Sequence, residues 1–150
     1  QNMLISNKPE NDGILTVFQK IPSDLTDKAE TLLKFVGLHQ KRKLRAGDLS
    51  FGQQKLLELA MALMNEPKML LLDEPTAGIN PTLINGIIDR LISVNKDYGI
   101  TLLVIEHNMK VIMNLAQRVF CLAHGQMLAN GTPDEIKNDK RVLDAYLGAQ

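Results

Sequence analysis

The sequence is poor in aromatic residues and in thiols. It contains no tryptophan, two tyrosines and four phenylalanines among 150 residues, and its one cysteine, Cys121, excludes an internal disulfide. A chain without disulfides is typical of a reducing compartment, and the apolar neighbours of Cys121 predict a buried, unreactive thiol. No apolar run approaches the ~18 residues of a membrane span, and no signal peptide pattern opens the chain, so we expect no direct insertion into a membrane.

An excess of charge of either sign is also lacking. Seventeen lysines and arginines balance seventeen aspartates and glutamates, so the overall field favours neither nucleic acid nor an anionic membrane surface. The one local run, "KRKLR" at 41–45, is interpreted as a solvated loop rather than a binding patch. The sequence therefore predicts no nucleic-acid partner.

The second half of the chain alternates apolar strands with amphipathic helices. Short apolar runs at 69–73, 100–106 and 118–123 predict strands, the first two buried on both faces. Between the first two, Asn80 as N-cap and Pro81 at the first helical position predict a helix with an apolar stripe. This alternation predicts an α/β fold with a mostly parallel sheet.

The first ~65 residues carry helical signals alone. Residues 23–37 predict a helix that is capped by Ser23 or Asp24 and ended by Gly37 in the left-handed conformation. A second apolar stripe of helical period predicts a helix over about 51–65.

The last third of the chain predicts a hairpin and two helices. A helix is expected over about 108–116, and "QMLAN" at 126–130 is a plausible hairpin partner for the third strand. Thr132 and Glu135 have the spacing of a capping box, which predicts the start of a terminal helix.

Side chains that can carry chemistry stand at the ends of the first two predicted strands. Asp73 and Glu74 leave the first strand, and His107 follows the second; open α/β sheets bind ligands at these ends. Asp73 can hold a hydrated Mg²⁺ and Glu74 can polarise a water. An acid pair of this kind is a capped turn about as often as a site, and a lone histidine is more often structural. If the two strands are neighbours, His107 lies near the acid pair and a site is favoured.

The stretch "LSFGQQK" at 49–55 combines a helix start with features of an anion site. Ser50 and Gln53 have the spacing of a capping box, and Gly52 leaves the approach to the backbone open. A capped helix start also presents free N–H groups and the positive end of the helix dipole. It can therefore bind a phosphate on the serine hydroxyl and on the amides.

These segments occur in an order that resembles the nucleotide-binding domain of ABC transporters. In that family "LSFGQ" (49–53) is the signature motif, "MLLLDEP" (69–75) the Walker B strand, "AGINP" (77–81) the D-loop, and "IEH" (105–107) ends in the switch histidine. The last two segments of the chain, "LANGTPDEI" and "AYLG", are similar to those of ATPase subunits of branched-chain amino acid importers. Related urea and lipopolysaccharide-export ATPases end similarly. The resemblance covers essentially the whole chain and implies a P-loop NTPase core with a helical signature subdomain.

The resemblance also implies the cofactors, ATP and Mg²⁺, and a role for each matching residue. It assigns nucleotide contacts to Ser50, Phe51, Gly52 and Gln53, the metal to Asp73, the general base to Glu74, a γ-phosphate contact to His107, and coupling of two nucleotide sites to Gly78 and Asn80. The implied partners are a second ABC ATPase domain, identical or not, and membrane permease subunits. The implied location is cytoplasmic, peripheral on the inner face of the cell membrane. Phe51 and Asn80 depart from the commonest motifs, where glycine and aspartate stand.

A further departure is the absence of G-x-x-x-x-G-K-[ST], the loop that cradles phosphates. "VFQ" at 17–19 only superficially resembles the family's Q-loop. We therefore expect the C-terminal part of an ABC ATPase, with the helical subdomain over 1–66 and the second half of the catalytic core over 67–150, inactive by itself. One alternative is a non-catalytic interaction module or truncated gene product. Another, a DNA-repair or translation-factor ATPase, predicts insertions or coiled coils that this sequence lacks.

Overall fold

A computed structural model of the chain describes residues 2–6 and 22–147; the segment 17–19 lies outside them. The chain divides into two compact units, Gln1–Val104 and Ile105–Gln150. The division predicted at residues 66 and 67 concerns the family's subdomains and stays a prediction. Among the described residues, no helix is both long enough and apolar enough to span a membrane.

Within its described residues, the first unit contains four α-helices and a pair of strands. In chain order these are α1 (Asn2–Ile5), α2 (Ser23–Phe35), short 3₁₀ turns at His39–Lys41 and Ala46–Asp48, α3 (Phe51–Leu63), β1 (Met69–Asp73), α4 (Pro81–Lys96) and β2 (Thr101–Ile105), whose last residue begins the second unit. The described residues before β1 are helical or in turns, as predicted.

The start of α2 corrects the prediction, whereas its end confirms it. The N-cap is Pro22, with φ −57° and ψ 142°, and not Ser23 or Asp24. Proline locks φ near the value seen here, so the extended cap geometry falls on Pro22 and Ser23 is already helical. At the other end, Gly37 adopts φ +74°, and the N–H of Leu38 donates to the carbonyl of Leu33 at 2.8 Å. This is the glycine helix end that the sequence predicts.

The core of the first unit is built from the apolar stripes of its helices. The buried residues are Ala29, Leu32 and Val36 of the α2 region, Leu59, Ala60, Leu63 and Met64 of the α3 region, and Ile84, Ile87, Ile88, Leu91 and Val94 of α4. Leu83, which the sequence places on the α4 stripe, is half exposed. It lies in the first turn of α4, where its Cδ1 faces Gly52 of α3.

The strands β1 and β2 pair with each other in a parallel sheet. Their starts adjoin, because the N–H of Thr101 donates to the carbonyl of Lys68 at 3.0 Å. Burial on both faces, which the sequence predicted, is wrong: Leu70 is buried, whereas Leu71 is 71% exposed and Leu103 47% exposed. Among the described residues, β1 and β2 form a two-stranded sheet whose second face is uncovered, so alternate residues meet solvent.

The second unit is a hairpin with short helices. It contains α5 (Met109–Leu115), β3 (Val119–Ala123), β4 (Gln126–Gly131), α6 (Pro133–Asn138) and α7 (Lys140–Leu147). The strands β3 and β4 pair antiparallel, as predicted, through a turn in which His124 and Gly125 have φ of +50° and +75°. Positive φ at both central positions suits the twist of a two-residue hairpin turn.

The core of the second unit surrounds the single cysteine. Cys121 is buried, as predicted, in a cluster with Ala129, Ile136 and Val142. The predicted capping box also forms: the N–H of Glu135 donates to Thr132 Oγ1 at 3.3 Å, and the N–H of Thr132 donates to Glu135 Oε2 at 2.8 Å.

Candidate functional site

The start of α3 has the geometry of an anion site. Ser50 is its N-cap, with extended φ and ψ, and Gln53 Oε1 accepts the backbone N–H of Ser50 at 3.2 Å. Ser50 is exposed, whereas Gly52 is buried. The predicted capping box is confirmed, and an exposed, capped helix start offers amides and a positive dipole end to an anion.

One lysine, Lys41, adds positive charge beside this helix start, and a second, Lys55, lies near it but is paired with Glu58 at 3.2 Å. Lys41 Nζ donates to Gln53 Oε1 at 3.0 Å, and Lys55 Nζ lies 5.7 Å from the centre of the Phe51 ring. The sequence interpretation missed Lys41, because it treated the run 41–45 as a solvated loop. The available signal was the distance along the chain: the run ends a few residues before the helix start, which is short enough to fold back on it.

The acidic end of β1 is open to solvent. Asp73 is the last residue of the strand, Glu74 follows it, and both are exposed. Glu74 has φ +45°, a left-handed conformation that non-glycine residues rarely adopt and that occurs at strained functional positions. Asp73 also borders a cleft of about 270 Å³, together with Lys55 and Pro75.

The surroundings of Asp73 fit a hydrated divalent ion rather than a protein cage. In the described parts of the chain, no three His, Cys, Asp or Glu side chains converge to enclose a metal. Mg²⁺ keeps several waters and needs only one or two carboxylates when it is bound beside phosphates. A single exposed carboxylate at a strand end, such as Asp73, matches that need.

The loop 74–80 connects the acidic end of β1 to α4 and passes beside the start of α3. Gly78 has φ +69°, and a Cβ at this position would lie 3.2 Å from Cε1 of the Phe51 ring. At the end of the loop, Asn80 caps α4 as predicted, with Oδ1 accepting the N–H of Thr82 at 3.0 Å. The loop therefore brings the predicted residues Gly78 and Phe51 into contact.

His107 follows β2 and belongs to the second unit. The strand that precedes it, β2, pairs with β1. His107 is exposed and immediately precedes Asn108, whose side chain caps α5 by accepting the N–H of Lys110 at 3.1 Å. Its contribution to a nucleotide site stays a prediction.

A larger cleft, of about 420 Å³, lies elsewhere in the first unit and is lined by other residues, among them Lys28, Thr31, Glu66 and Tyr98. A hydrogen bond from Lys28 to Glu66, with their opposite charges, lowers the pKa of the Glu66 carboxyl. Paired opposite charges leave little net field for a phosphate, so the chemistry points to the α3 start and the β1 end.

Comparison with known proteins agrees with this geometry. A family profile described as ABC transporter matches residues 2–77, and a second, described as Branched-chain amino acid ATP-binding cassette transporter, matches residues 126–150. The high-affinity branched-chain amino acid transport ATP-binding protein LivG of Escherichia coli K12 is 37% identical over 131 residues, which are 87% of this chain and 51% of LivG. The protein BraF of Pseudomonas aeruginosa has the same description and is 34% identical. That alignment covers 99% of this chain and 61% of BraF. The chain spans about half the length of LivG.

Two solved structures, each described as an ATP-binding cassette of an ABC transporter, have the same fold. Their TM-scores are 0.80 and 0.75 at 36% and 33% identity, and each alignment covers 97% of this chain and 60% of the solved chain. The predicted fold class, a P-loop NTPase of the ABC type, is therefore confirmed. From the start of α1 through the Walker B strand to Ala77, the residues match the family profile, and the chain belongs to the ABC transporter family.

Proposed function

We propose that this chain is part of the ATP-binding subunit of an importer for branched-chain amino acids, and that the subunit couples ATP hydrolysis to transport. The family membership supports the ATPase. The profile over residues 126–150 and the descriptions of LivG and BraF support the substrate class.

One observation carries the ATPase proposal. The loop that leaves the acidic end of β1 packs on the start of α3, where Gly78 lies beside the ring of Phe51. The first unit thus joins a group that can activate water to a helix start that can bind phosphate.

The proposed roles follow from this arrangement. Glu74 accepts a proton from the attacking water, and Asp73 holds Mg²⁺ through water. The ion, when bound, neutralises charge that develops on phosphate oxygens. Ser50, Gln53 and the first amides of α3 contact the nucleotide that a second ABC ATPase domain holds. His107 contacts the γ-phosphate.

The remaining proposed features concern partners and place. Gly78 and Asn80 couple the two nucleotide sites of the dimer. The helical part of the chain docks on membrane permease subunits at the cytoplasmic face. Because the sequence has no G-x-x-x-x-G-K-[ST], the 150-residue polypeptide is proposed to be inactive by itself.

The test uses the full-length gene product with its permease in proteoliposomes. We expect ATP-dependent uptake of leucine, isoleucine or valine, and loss of ATPase activity in Ser50→Arg, which places a long side chain at the phosphate position. Circular dichroism of Ser50→Arg should show an intact fold, because the lost cap contributes about 1 kcal/mol. ATP hydrolysis that responds to urea and to no branched-chain amino acid would refute the substrate class. A full-length protein without ATPase activity would refute the enzyme.

A further inference from the structure

One edge of the Phe51 ring lies beside the backbone of Gly78. A Cβ at position 78 would lie 3.2, 3.7 and 3.8 Å from three carbons of that ring, so a side chain at this position would press on the ring. The positive φ of Gly78 turns this bare backbone toward α3. The contact therefore depends on an aromatic side chain at one position and on no side chain at the other.

The residue after Phe51, Gly52, packs against the residue after Gly78, Ile79. A Cβ at Gly52 would lie 3.6 Å from Ile79 Cγ2 and 3.4 Å from Leu83 Cδ1, and Gly52 and Ile79 are both buried. Two consecutive residues at the start of α3 thus pack on two consecutive residues of the loop, and these contacts fix its position.

Two hydrogen-bonded turns link these packed loop residues to Glu74. The N–H of Ala77 donates to the carbonyl of Glu74 at 3.0 Å, and the N–H of Ile79 donates to the carbonyl of Thr76 at 3.3 Å. Thr76 is buried. These two turns overlap, so hydrogen bonds connect the backbone continuously from Glu74 to Ile79.

We propose that Phe51 is a positioning residue whose ring locks the loop 74–80 onto the start of α3. The proposal rests on the proposed function, in which Glu74 and Ser50 of one chain serve two different nucleotides. The ring then makes the water-activating group of one site and the phosphate-binding helix of the other site parts of one rigid body. It also accounts for a phenylalanine that is 51% exposed at a helix start.

Amide hydrogen exchange on the 150-residue chain tests the lock without any nucleotide. In Phe51→Ala we expect the amides of Ala77 and Ile79 to exchange about five- to tenfold faster, because the ring no longer packs against the loop. Phe51→Tyr keeps the ring and should restore protection. Phe120→Ala is the matched control, since Phe120 is 53% exposed and also has a cation, Arg118, 5.7 Å from its ring. Phe120→Ala should leave the exchange rates of the Ala77 and Ile79 amides unchanged.

A second measurement covers the case in which Phe51→Ala does not fold. In chains labelled with fluorophenylalanine, the ¹⁹F resonance of Phe51 should shift in Gly78→Ala, where a methyl group presses on the ring. It should stay in place in Gly99→Ala, because a Cβ at Gly99 meets nothing within 4 Å. The proposal would be overturned by unchanged exchange of the Ala77 and Ile79 amides in a folded Phe51→Ala. It would also be overturned by a ¹⁹F resonance of Phe51 that does not shift in Gly78→Ala.

The catalytic consequence is measured in the full-length ATPase. Phe51→Ala should lower kcat more than it raises KM for ATP, and it should reduce the cooperativity of the rate in ATP concentration; Phe51→Tyr should recover both. An ATPase in which Phe51→Ala keeps its kcat and cooperativity would refute the coupling and leave the proposed function standing. A full-length protein without ATPase activity would refute the proposed function, whereas the exchange experiment would still decide the lock.

Discussion

Lys41 and Gln53 are joined by a hydrogen bond of 3.0 Å from Nζ to Oε1, and the same oxygen accepts the backbone N–H of Ser50. The glutamine that caps α3 is thus held from two sides. Because Lys41 is exposed, its ammonium group adds charge at the helix start without burying it. A basic side chain from a preceding turn therefore lies beside the proposed anion site.

The first prediction concerns this ammonium group. Lys41→Met removes the charge and the bond to Gln53 while it keeps a linear side chain. In the full-length ATPase we expect KM for ATP to rise about two- to fivefold, because an exposed charge interaction contributes up to about 1 kcal/mol. The increase should shrink at high salt. Lys43→Met is the matched control from the same exposed basic run, and an equal effect of the two variants would contradict a specific role of Lys41.

The second prediction concerns Glu74 as general base. In the full-length protein, Glu74→Gln should lower turnover about 10²- to 10⁴-fold, because the amide cannot accept the proton of the attacking water. Nucleotide binding should stay nearly intact, so the variant should hold ATP in a stable dimer. Steady-state kinetics and size exclusion with ATP measure both.

Glu66→Gln is the control for Glu74→Gln. Glu66 is an exposed glutamate with φ +47°, close to the +45° of Glu74, and it lies outside the proposed site. It should keep normal turnover. Near-normal turnover of Glu74→Gln would contradict the assignment of Glu74 as the general base.

The third prediction separates backbone strain from the ring contact at Gly78. Gly78 and Gly99 have φ of +69° and +66°, so alanine at either position carries a similar strain of about 1 kcal/mol. Only the Cβ at Gly78 meets the ring of Phe51. In urea unfolding we expect Gly99→Ala to lower the free energy of unfolding by about 1 kcal/mol and Gly78→Ala by about 2 kcal/mol or more. Equal losses would show that the ring contact is loose.

The fourth prediction concerns acid stability of the second unit. A backbone hydrogen bond from Thr132 to the carboxylate lowers the pKa of Glu135 from its ordinary 4.5. The unfolded chain therefore binds the proton first as the pH falls. The stabilisation is present above 4.5 and is lost as the pH falls below it through the lowered folded-state pKa.

The matching variant is Glu135→Gln, which keeps an oxygen acceptor for the Thr132 N–H but does not titrate. It should flatten the acid side of the stability curve, measured by circular dichroism between neutral pH and strongly acidic pH. Asp134→Asn removes one charge from the same turn and should leave the slope largely unchanged. Indistinguishable slopes for the wild type and Glu135→Gln would disprove the role of the capping carboxylate.

The fifth prediction concerns the 150-residue polypeptide by itself. In the class of P-loop enzymes, the amides and lysine of G-x-x-x-x-G-K-[ST] supply much of the charge stabilisation. The sequence does not contain that loop, so we expect no ATP hydrolysis above a protein-free blank. Phosphate release that disappears in the Glu74→Gln form of the same polypeptide would contradict this.

Local chemistry explains most of what the sequence predicted correctly. The capping boxes at Ser50 and Thr132, the Asn80 cap and the left-handed Gly37 each depend on a few neighbouring residues, so the pattern alone identifies them. The strand pairing of β3 with β4 follows equally from a two-residue turn between two apolar runs.

Apart from the cap of α2, which falls on Pro22, the failures concern features that depend on distant parts of the chain. A continuous apolar run predicted that β1 is buried on both faces, but burial depends on which elements cover the sheet, and Leu71 is exposed. The hydrogen bond from Lys41 to Gln53 joins residues 12 positions apart. The contact between the Phe51 ring and Gly78 joins residues 27 positions apart. A linear motif identifies Phe51 and Gly78 separately, whereas the fold determines that they touch.

The buried cysteine gives the molecule a built-in chemical reporter. Cys121 is the sole thiol of the sequence, and it sits in the core of the second unit, 6% exposed. A thiol-reactive dye therefore labels the chain when the core around Cys121 opens, and the labelling rate reports on that opening. Every substitution in the first unit can thus be checked for silent damage to the hairpin by a single absorbance trace.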